Sequence, residues 1–342
     1  MATAGHPTEV PLQDRLGRPL RDLRLSVIEA CNFRCGYCMP EGREVADDTL
    51  DAASRLTFAQ METLVRGFVR AGVRKLRLTG GEPLLRRRLP DLVARLAAID
   101  GLEDVALTTN GTLLRTQAAA LRQAGLHRLT VSLDALEPAL FHRLSGGRGD
   151  VAQVLDGIAA AEDAGFGTLR INCVVQRGVN EDQVLPLLAR FRGSGHIVRF
   201  IEYMDVGTCN GWRRGDIVDT AQLRDRIAAR WPVYPLSPRY RGEVAERYAF
   251  ADGAGEIGFV SSISQPFCGD CHRARVSADG HLYTCLFAAE GQDLRPDLAL
   301  GEHALAARVA SIWSRRTDRY SELRGGASSR GGRHVEMYLV GG

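Results

Sequence analysis

Short aliphatic runs alternate with amphipathic stretches from residue 23 onward, and this alternation restricts the fold of the 342-residue chain more than any other feature. The strand-like runs cover 23–28, 75–79, 105–109, 129–133, 169–175 and 198–204. Between the first two, Met61, Leu64, Val65, Phe68 and Val69 recur at helical spacing, and Gly72 is placed to stop the helix. Stretches 113–124 and 151–164 read the same way. Strands separated by helices imply a parallel sheet with right-handed crossovers. Closed partly or fully, such a sheet is a (β/α) barrel; left open, it is doubly wound, and periodicity does not order the strands. After about residue 232 come strand-like pieces at 244–250 and 256–261, a helical stretch at 304–314 and a polar tail ending in Gly341-Gly342.

The balance of 44 Lys and Arg against 41 Asp and Glu leaves a net charge of +3, so the whole molecule is no polyelectrolyte binder and nucleic acid is not an expected partner. Any anion site must arise from local clustering. Residues 1–22 are polar and make no signal peptide, and no apolar run approaches a membrane span. A cytoplasmic, membrane-free location is expected, and a reducing compartment suits the cysteine usage.

Six of the eight cysteines form two incomplete metal-binding trios, Cys31, Cys35 and Cys38 and then Cys268, Cys271 and Cys285. A structural zinc site closes with four protein ligands and the usual iron–sulfur cubane takes four thiolates, so a trio leaves one position for something else. The first trio, C-x-x-x-C-x-x-C, is short enough for one loop to wrap one cluster; a redox Cys35-x-x-Cys38 pair is the plainer alternative. At the second trio, His272 or His281 could complete a zinc site instead. Cys173 reads as a small core residue, and Cys209 has no assigned role. In a parallel (β/α) sheet the first trio, Gly80-Gly81-Glu82-Pro83, Thr108-Thr109-Asn110-Gly111, Ser132, Asp134 and Met204-Asp205 all fall at C-terminal strand ends, which gather on one face.

Cys31-x-x-x-Cys35-x-x-Cys38 followed by Gly80-Gly81-Glu82-Pro83 resembles the radical S-adenosylmethionine enzymes. Further segments, including Asp22-Leu23-Arg24-Leu25-Ser26, Leu107-Thr108-Thr109-Asn110-Gly111, Val131-Ser132-Leu133-Asp134-Ala135, Arg199-Phe200-Ile201-Glu202, Cys268-x-x-Cys271-x-Arg273-x-Arg275 and the terminal Gly341-Gly342, resemble the GTP 3′,8-cyclases of molybdenum-cofactor biosynthesis. The resemblance implies an incomplete (β/α)6 TIM-type barrel with a C-terminal extension carrying a second iron–sulfur cluster. The expected organisation is an N-terminal segment 1–22, partly flexible, a barrel 23–231, an auxiliary-cluster and substrate region 232–330, and a tail 331–342.

The resemblance also implies two [4Fe-4S] clusters, held by Cys31, Cys35 and Cys38 and by Cys268, Cys271 and Cys285, with S-adenosylmethionine on the open iron of the first. Its contacts would be Tyr37, through the backbone, Gly81, Ser132 and Met204. GTP would meet Arg24, Arg77, Thr108, Arg170, Arg273 and Arg275, and the second cluster would face the guanine edge. The implied reaction joins C3′ of the GTP ribose to C8 of guanine, giving 3′,8-cyclo-7,8-dihydro-GTP. No protein acid or base is assigned. Implied partners are a downstream cyclic pyranopterin monophosphate synthase, an electron donor such as flavodoxin or ferredoxin, and a second copy of the chain in a homodimer. Two departures from the family pattern stand out: Glu29-Ala30 stands where Asp-Arg is common, and Arg170 where lysine is. The rival readings are a radical S-adenosylmethionine enzyme acting on a peptide, and a non-enzymatic iron–sulfur electron carrier.

Overall fold

The computed structural model describes residues 12–39, 54–207, 210–324 and 334–341. Cys209 and Gly342 lie outside them. The first half is a repeat of strand and helix: β1 (Asp22–Ser26), α1 (Phe58–Arg70), β2 (Lys75–Thr79), α2 (Leu89–Ala97), β3 (Asp104–Thr109), α3 (Leu114–Gln123), β4 (Arg128–Ser132), α4 (Pro138–Leu144), α5 (Val151–Asp163), β5 (Arg170–Val175), α6 (Val184–Phe191) and β6 (Ile197–Glu202). Helix α7 (Thr220–Ala228) is followed by β7 (Val233–Leu236), β8 (Glu246–Phe250), β9 (Glu256–Val260), β10 (Arg273–Val276), β11 (His281–Tyr283) and β12 (Gln292–Asp293). Helices α8 (Arg295–Ala299), α9 (Glu302–Ser314), α10 (Tyr320–Leu323) and α11 (Met337–Val340) complete the described chain.

Strands β1 to β6 lie side by side in sequence order and pair in parallel, so the sheet winds in one direction. A doubly wound sheet reverses its order at the middle; this one curls as a barrel does. It does not close. The C-terminal strands extend both edges instead, β10 pairing in parallel with β1 and β9 with β6, each then backed by antiparallel neighbours.

The outward faces of the strands make the core. Leu23, Leu25, Leu78, Val105, Leu107, Leu129, Val131, Ile171 and Cys173 have no exposed surface and pack under the helices. Helix α1 shows why its sequence is helical: Thr57 and Gln60 form a reciprocal capping box, while Met61, Leu64, Val65 and Phe68 turn one buried stripe to the sheet. Strands β7 and β10 to β12 are absent from the periodicity because they are very short, and β7 carries Pro235, tolerated only at a sheet edge. The run expected at 198–204 ends as a strand at Glu202, and Met204 lies beyond it.

Helices α3 and α5 pack through Gly157, where an added Cβ would strike the Gly111 carbonyl oxygen. That contact supports the turn after β3 from behind. Gly157→Ala should therefore cost roughly 1–3 kcal/mol through overpacking, read as a lower thermal midpoint; an unchanged midpoint would show that the helices separate freely.

Candidate active site

The inward faces of the strands are polar. Asp22 and Arg24, Lys75 and Arg77, Thr108, Arg128 and Thr130, Arg170 and Asn172, and Arg199 all line one cavity of about 420 Å³. Strand register sets Arg275, Arg24 and Arg77 abreast on β10, β1 and β2, and Thr108, Thr130 and Arg170 abreast on β3, β4 and β5. Arg77 donates to the hydroxyls of Thr108 at 2.9 Å and Thr130 at 3.0 Å. Burial, and then the charges of neighbouring arginines, hold Arg24 well below the usual arginine range. The same two causes lower Arg275 to about 9 and Arg199 to about 9. The side-chain Nε atoms of Arg170 and Arg199 and Oδ1 of Asn172 are buried without a hydrogen-bond partner among the described residues. The clustered guanidinium groups and their unmet Nε donors fit an anion carrying several charges and acceptor oxygens, while Asn172 Oδ1 offers a place for a donor.

At the C-terminal ends of the strands, the first cysteine loop is fastened on every side. Asn110 donates to Asn32 Oδ1 at 2.7 Å, the Arg34 amide donates to the Ser145 carbonyl at 2.9 Å, and the Tyr37 hydroxyl donates to Asp134 Oδ2 at 2.7 Å. Gly80 has φ of +146°, and a Cβ on Gly80 or Gly81 would collide with backbone atoms of residues 28–30. Gly81 and Glu82 donate their amides to the Ile28 and Ala30 carbonyls, both at 2.8 Å. The glycine pair thus lets two backbones meet just before Cys31, and the Gly81 amide is spent there; only carbonyls of this turn remain to receive an amino group. Glu82 is buried and accepts from the Thr109 hydroxyl and the Asn110 amide, each at 2.7 Å, so it ties the end of β2 to the end of β3. Burial raises its carboxyl to about 7. Glu29, at one of the departures from the family pattern, is buried against Arg55, whose Nε lies 3.0 Å from its Oε2.

The second trio stands at the opposite end of the barrel. Cys268 and Cys271 precede β10, which runs parallel to β1, and the antiparallel β11 brings Cys285 back beside them. Asp14, Arg18 and Arg316 form a buried ion cluster here. From it Arg18 donates to the Cys268 carbonyl at 2.7 Å, and Arg316 donates to the Cys271 carbonyl at 2.7 Å and approaches its Sγ at 3.3 Å. Burial raises the Cys271 thiol, but Arg273 and Arg316 outweigh it and bring the pKa down to about 6. Elsewhere burial leads: Cys31 and Cys285 rise to about 11, and Cys35 and Cys38 rise too.

Neither candidate zinc histidine joins the second trio. His272 Nδ1 lies 3.4 Å from Asp22, and His281 Nδ1 3.1 Å from Asp279. Among the described residues no three His, Cys, Asp or Glu side chains converge on one metal-ion position. Three thiols without a histidine among them suit a cluster that leaves one iron open. The C-terminal tail returns into the barrel: Arg275 donates to the carbonyls of Val340, at 3.3 Å, and Gly341, and Gly341 packs against Thr79.

Of the residues singled out in the sequence, Arg24, Arg77, Thr108, Arg170, Arg273, Arg275 and Met204 share the cavity with the second trio. Tyr37, Gly81 and Ser132 belong to the upper rim and not to this wall. Sequence reasoning missed Lys75, Arg128, Arg199 and Arg239 as wall residues. The first three stood in plain view, in KLRLT, RLTVS and IVRFIE, as polar positions alternating with buried ones. Cys173 is buried in the core, as its apolar run suggested.

Residues 25–191 match the Radical SAM superfamily model and residues 196–322 match Molybdenum Cofactor Synthesis C. The chain is 70% identical over 332 residues to the GTP 3′,8-cyclase of Xanthomonas campestris pv. campestris (strain B100), covering 97% of this chain and 98% of that one. To the GTP 3′,8-cyclase of Acidothermus cellulolyticus it is 50% identical, covering 97% and 99%. Among solved structures, Streptococcus suis SuiB bound to S-adenosylmethionine aligns with a TM-score of 0.60 at 17% identity, over 90% of this chain and 68% of that one. SuiB bound to the precursor peptide SuiA gives 0.63 at 15%, over 92% and 67%. At these identities the likeness to SuiB concerns the fold alone.

Two outcomes test this geometry. Inorganic tripolyphosphate should raise the thermal midpoint by relieving arginine repulsion, and the rise should shrink as salt increases; no rise would mean the charge is already compensated. Glu82→Gln turns an amide donor toward the Asn110 amide or the Thr109 hydroxyl, and about 1–3 kcal/mol of stability should be lost, measured by denaturant unfolding.

Proposed function

The chain belongs to the GTP 3′,8-cyclases of the radical S-adenosylmethionine superfamily, and we propose how its own residues divide the work of that reaction. It is an enzyme that cyclises GTP to 3′,8-cyclo-7,8-dihydro-GTP, the first step of molybdenum cofactor biosynthesis, with S-adenosylmethionine and [4Fe-4S] clusters as cofactors. The observation that carries the residue assignments is the arginine-walled cavity reaching from Met204 to Cys268, Cys271 and Cys285.

Cys31, Cys35 and Cys38 would hold one cluster and leave an iron open to S-adenosylmethionine, whose other neighbours would be Tyr37, Gly81, Ser132 and Met204. When bound, these groups supply the one-electron chemistry that removes the C3′ hydrogen of GTP and allows C3′ to bond to C8. The protein's share is position. Cys268, Cys271 and Cys285 would hold a second cluster at the guanine end, with Arg273 and Arg275 beside it. Arg24, Arg77, Thr108 and Arg170 then face the nucleotide, and the forked guanidinium groups donate to the triphosphate oxygens. With both substrate ends fixed, C3′ and C8 are held for attack and competing reactions are suppressed. Gly341, bonded to Arg275, lies where the tail can sense the occupied cavity.

We assign residues 23–231 to the radical-forming unit and 232–330 to the cluster and substrate region; β7 to β12, which flank both edges of the sheet, all fall in the second. The product passes to a cyclic pyranopterin monophosphate synthase. A flavodoxin or ferredoxin supplies the electron; Gly36, exposed within the first cysteine loop, supports an approach from that side. A homodimer and a cytoplasmic location complete the proposal; no helix among the described residues is long and apolar enough to cross a membrane.

The test is an anaerobic assay of reconstituted protein with dithionite, S-adenosylmethionine and GTP, followed by mass spectrometry. Wild type yields 5′-deoxyadenosine and an isomer of GTP. Cys38→Ala yields neither, and Cys268→Ala loses the isomer. An isomer still formed by Cys268→Ala would remove the second trio from substrate positioning.

A further inference from the structure

A second cavity, of about 430 Å³, opens at the N-terminal ends of β4, β5 and β6, between His127, Thr168 and His196. It shares Arg128, Arg170 and Arg239 with the first, so these three guanidinium groups stand where the barrel interior meets its lower mouth. They are not equivalent. Arg128 is held by Asp104, with Nε 2.7 Å from Oδ1, and Arg170 is buried on its strand. Arg239 alone comes from a loop, the connection between β7 and β8, and its side chain is 44% exposed.

Arg239 is held in place by a bond it can give up. Its Nη2 lies 3.2 and 3.3 Å from the two carboxylate oxygens of Glu256. The same carboxylate already has Arg247, whose Nη2 lies 2.9 and 3.0 Å from those oxygens and whose Nε adds a contact at 3.3 Å. Arg247 is the more buried of the two arginines, so Glu256 remains neutralised if Arg239 leaves. A half-exposed ion pair of this kind is worth little. The backbone of Arg239 is meanwhile fixed, its amide donating to Glu243 at 2.7 Å, so the side chain can swing while the loop stays. Arg170 is the group that notices Arg239: after burial, the charge of Arg239 is what most lowers its pKa. An anion between the two would convert that repulsion into a pair of charge-assisted contacts.

We infer that Arg239 is the residue that reads the terminal phosphate of the nucleotide, exchanging Glu256 for the phosphate at the lower mouth of the barrel. The inference rests on the assignment of the cavity to GTP. A terminal phosphate carries more negative charge than an inner one and has three free oxygens, so it competes for a fork that an inner phosphate or a monophosphate would not reach.

The test is calorimetric binding of GTP and GMP to reconstituted, anaerobic protein, together with KM and kcat for GTP. Arg239→Gln should weaken GTP at least about tenfold, the loss of one charge-assisted contact, while GMP binding stays as in wild type, and KM should rise more than kcat falls. Arg239→Lys, which keeps the charge and loses the fork, should recover part of the preference for GTP. Arg241→Gln, on the same loop and paired with Asp270 at 2.9 Å, should leave it unchanged. An unaltered GTP preference in Arg239→Gln, or equal losses for GTP and GMP, overturns the inference. Wild-type protein that makes deoxyadenosine yet binds no GTP overturns instead the assignment of the cavity.

Discussion

Arg275, Arg24 and Arg77 stand abreast on three adjoining strands, pointing into a space where burial and mutual repulsion make their charge expensive to keep. Much of the architecture accommodates this row. Parallel strands usually face apolar layers on both sides. Here only the outer face does, and the helices bury it. The inner face has no packed core to offer, so the sheet curls without closing and the later strands flank its two edges. Stability comes from the outer layer, and the interior is left as a strongly positive lumen. Arg77, with its two threonine hydroxyls, shows how the fold eases the strain without cancelling the charge.

The two ends of that lumen are built by different means. At the upper end, backbone meets backbone: the glycine pair after β2 lies against residues 28–30, and Glu82 links two strand ends from within. At the lower end, charge does the fastening, with Asp14 between Arg18 and Arg316 and both arginines reaching into the second cysteine loop. The first arrangement is rigid and nearly neutral. The second bathes Cys271 in positive charge, which favours its thiolate.

Much of this could be read from residues alone. Helix α1 was legible because its cap and its buried stripe are both local, and the first cysteine trio because its spacing fits a single loop. Strand order was not legible, since hydrophobic periodicity carries no information about which strand lies beside which. Arg24, Arg77, Arg170, Arg273 and Arg275 entered through family likeness, whereas Arg128 and Arg199 could have been found by asking which strand positions alternate with buried ones. Gly80 and Gly81 stand out in the sequence as a turn after β2, but that their missing side chains let this turn lie against residues 28–30 is visible only in three dimensions. Arg239 was beyond reach, because a loop arginine declares its neighbours only in three dimensions.

The ion cluster of Asp14, Arg18 and Arg316 joins residues some 300 positions apart. Among the described residues, the hydrogen bonds that fasten the first cysteine loop and the glycine turn beside it join residues 28 to 145. The second site therefore draws its charged framework from both ends of the chain, whereas the first is fastened within one half of it.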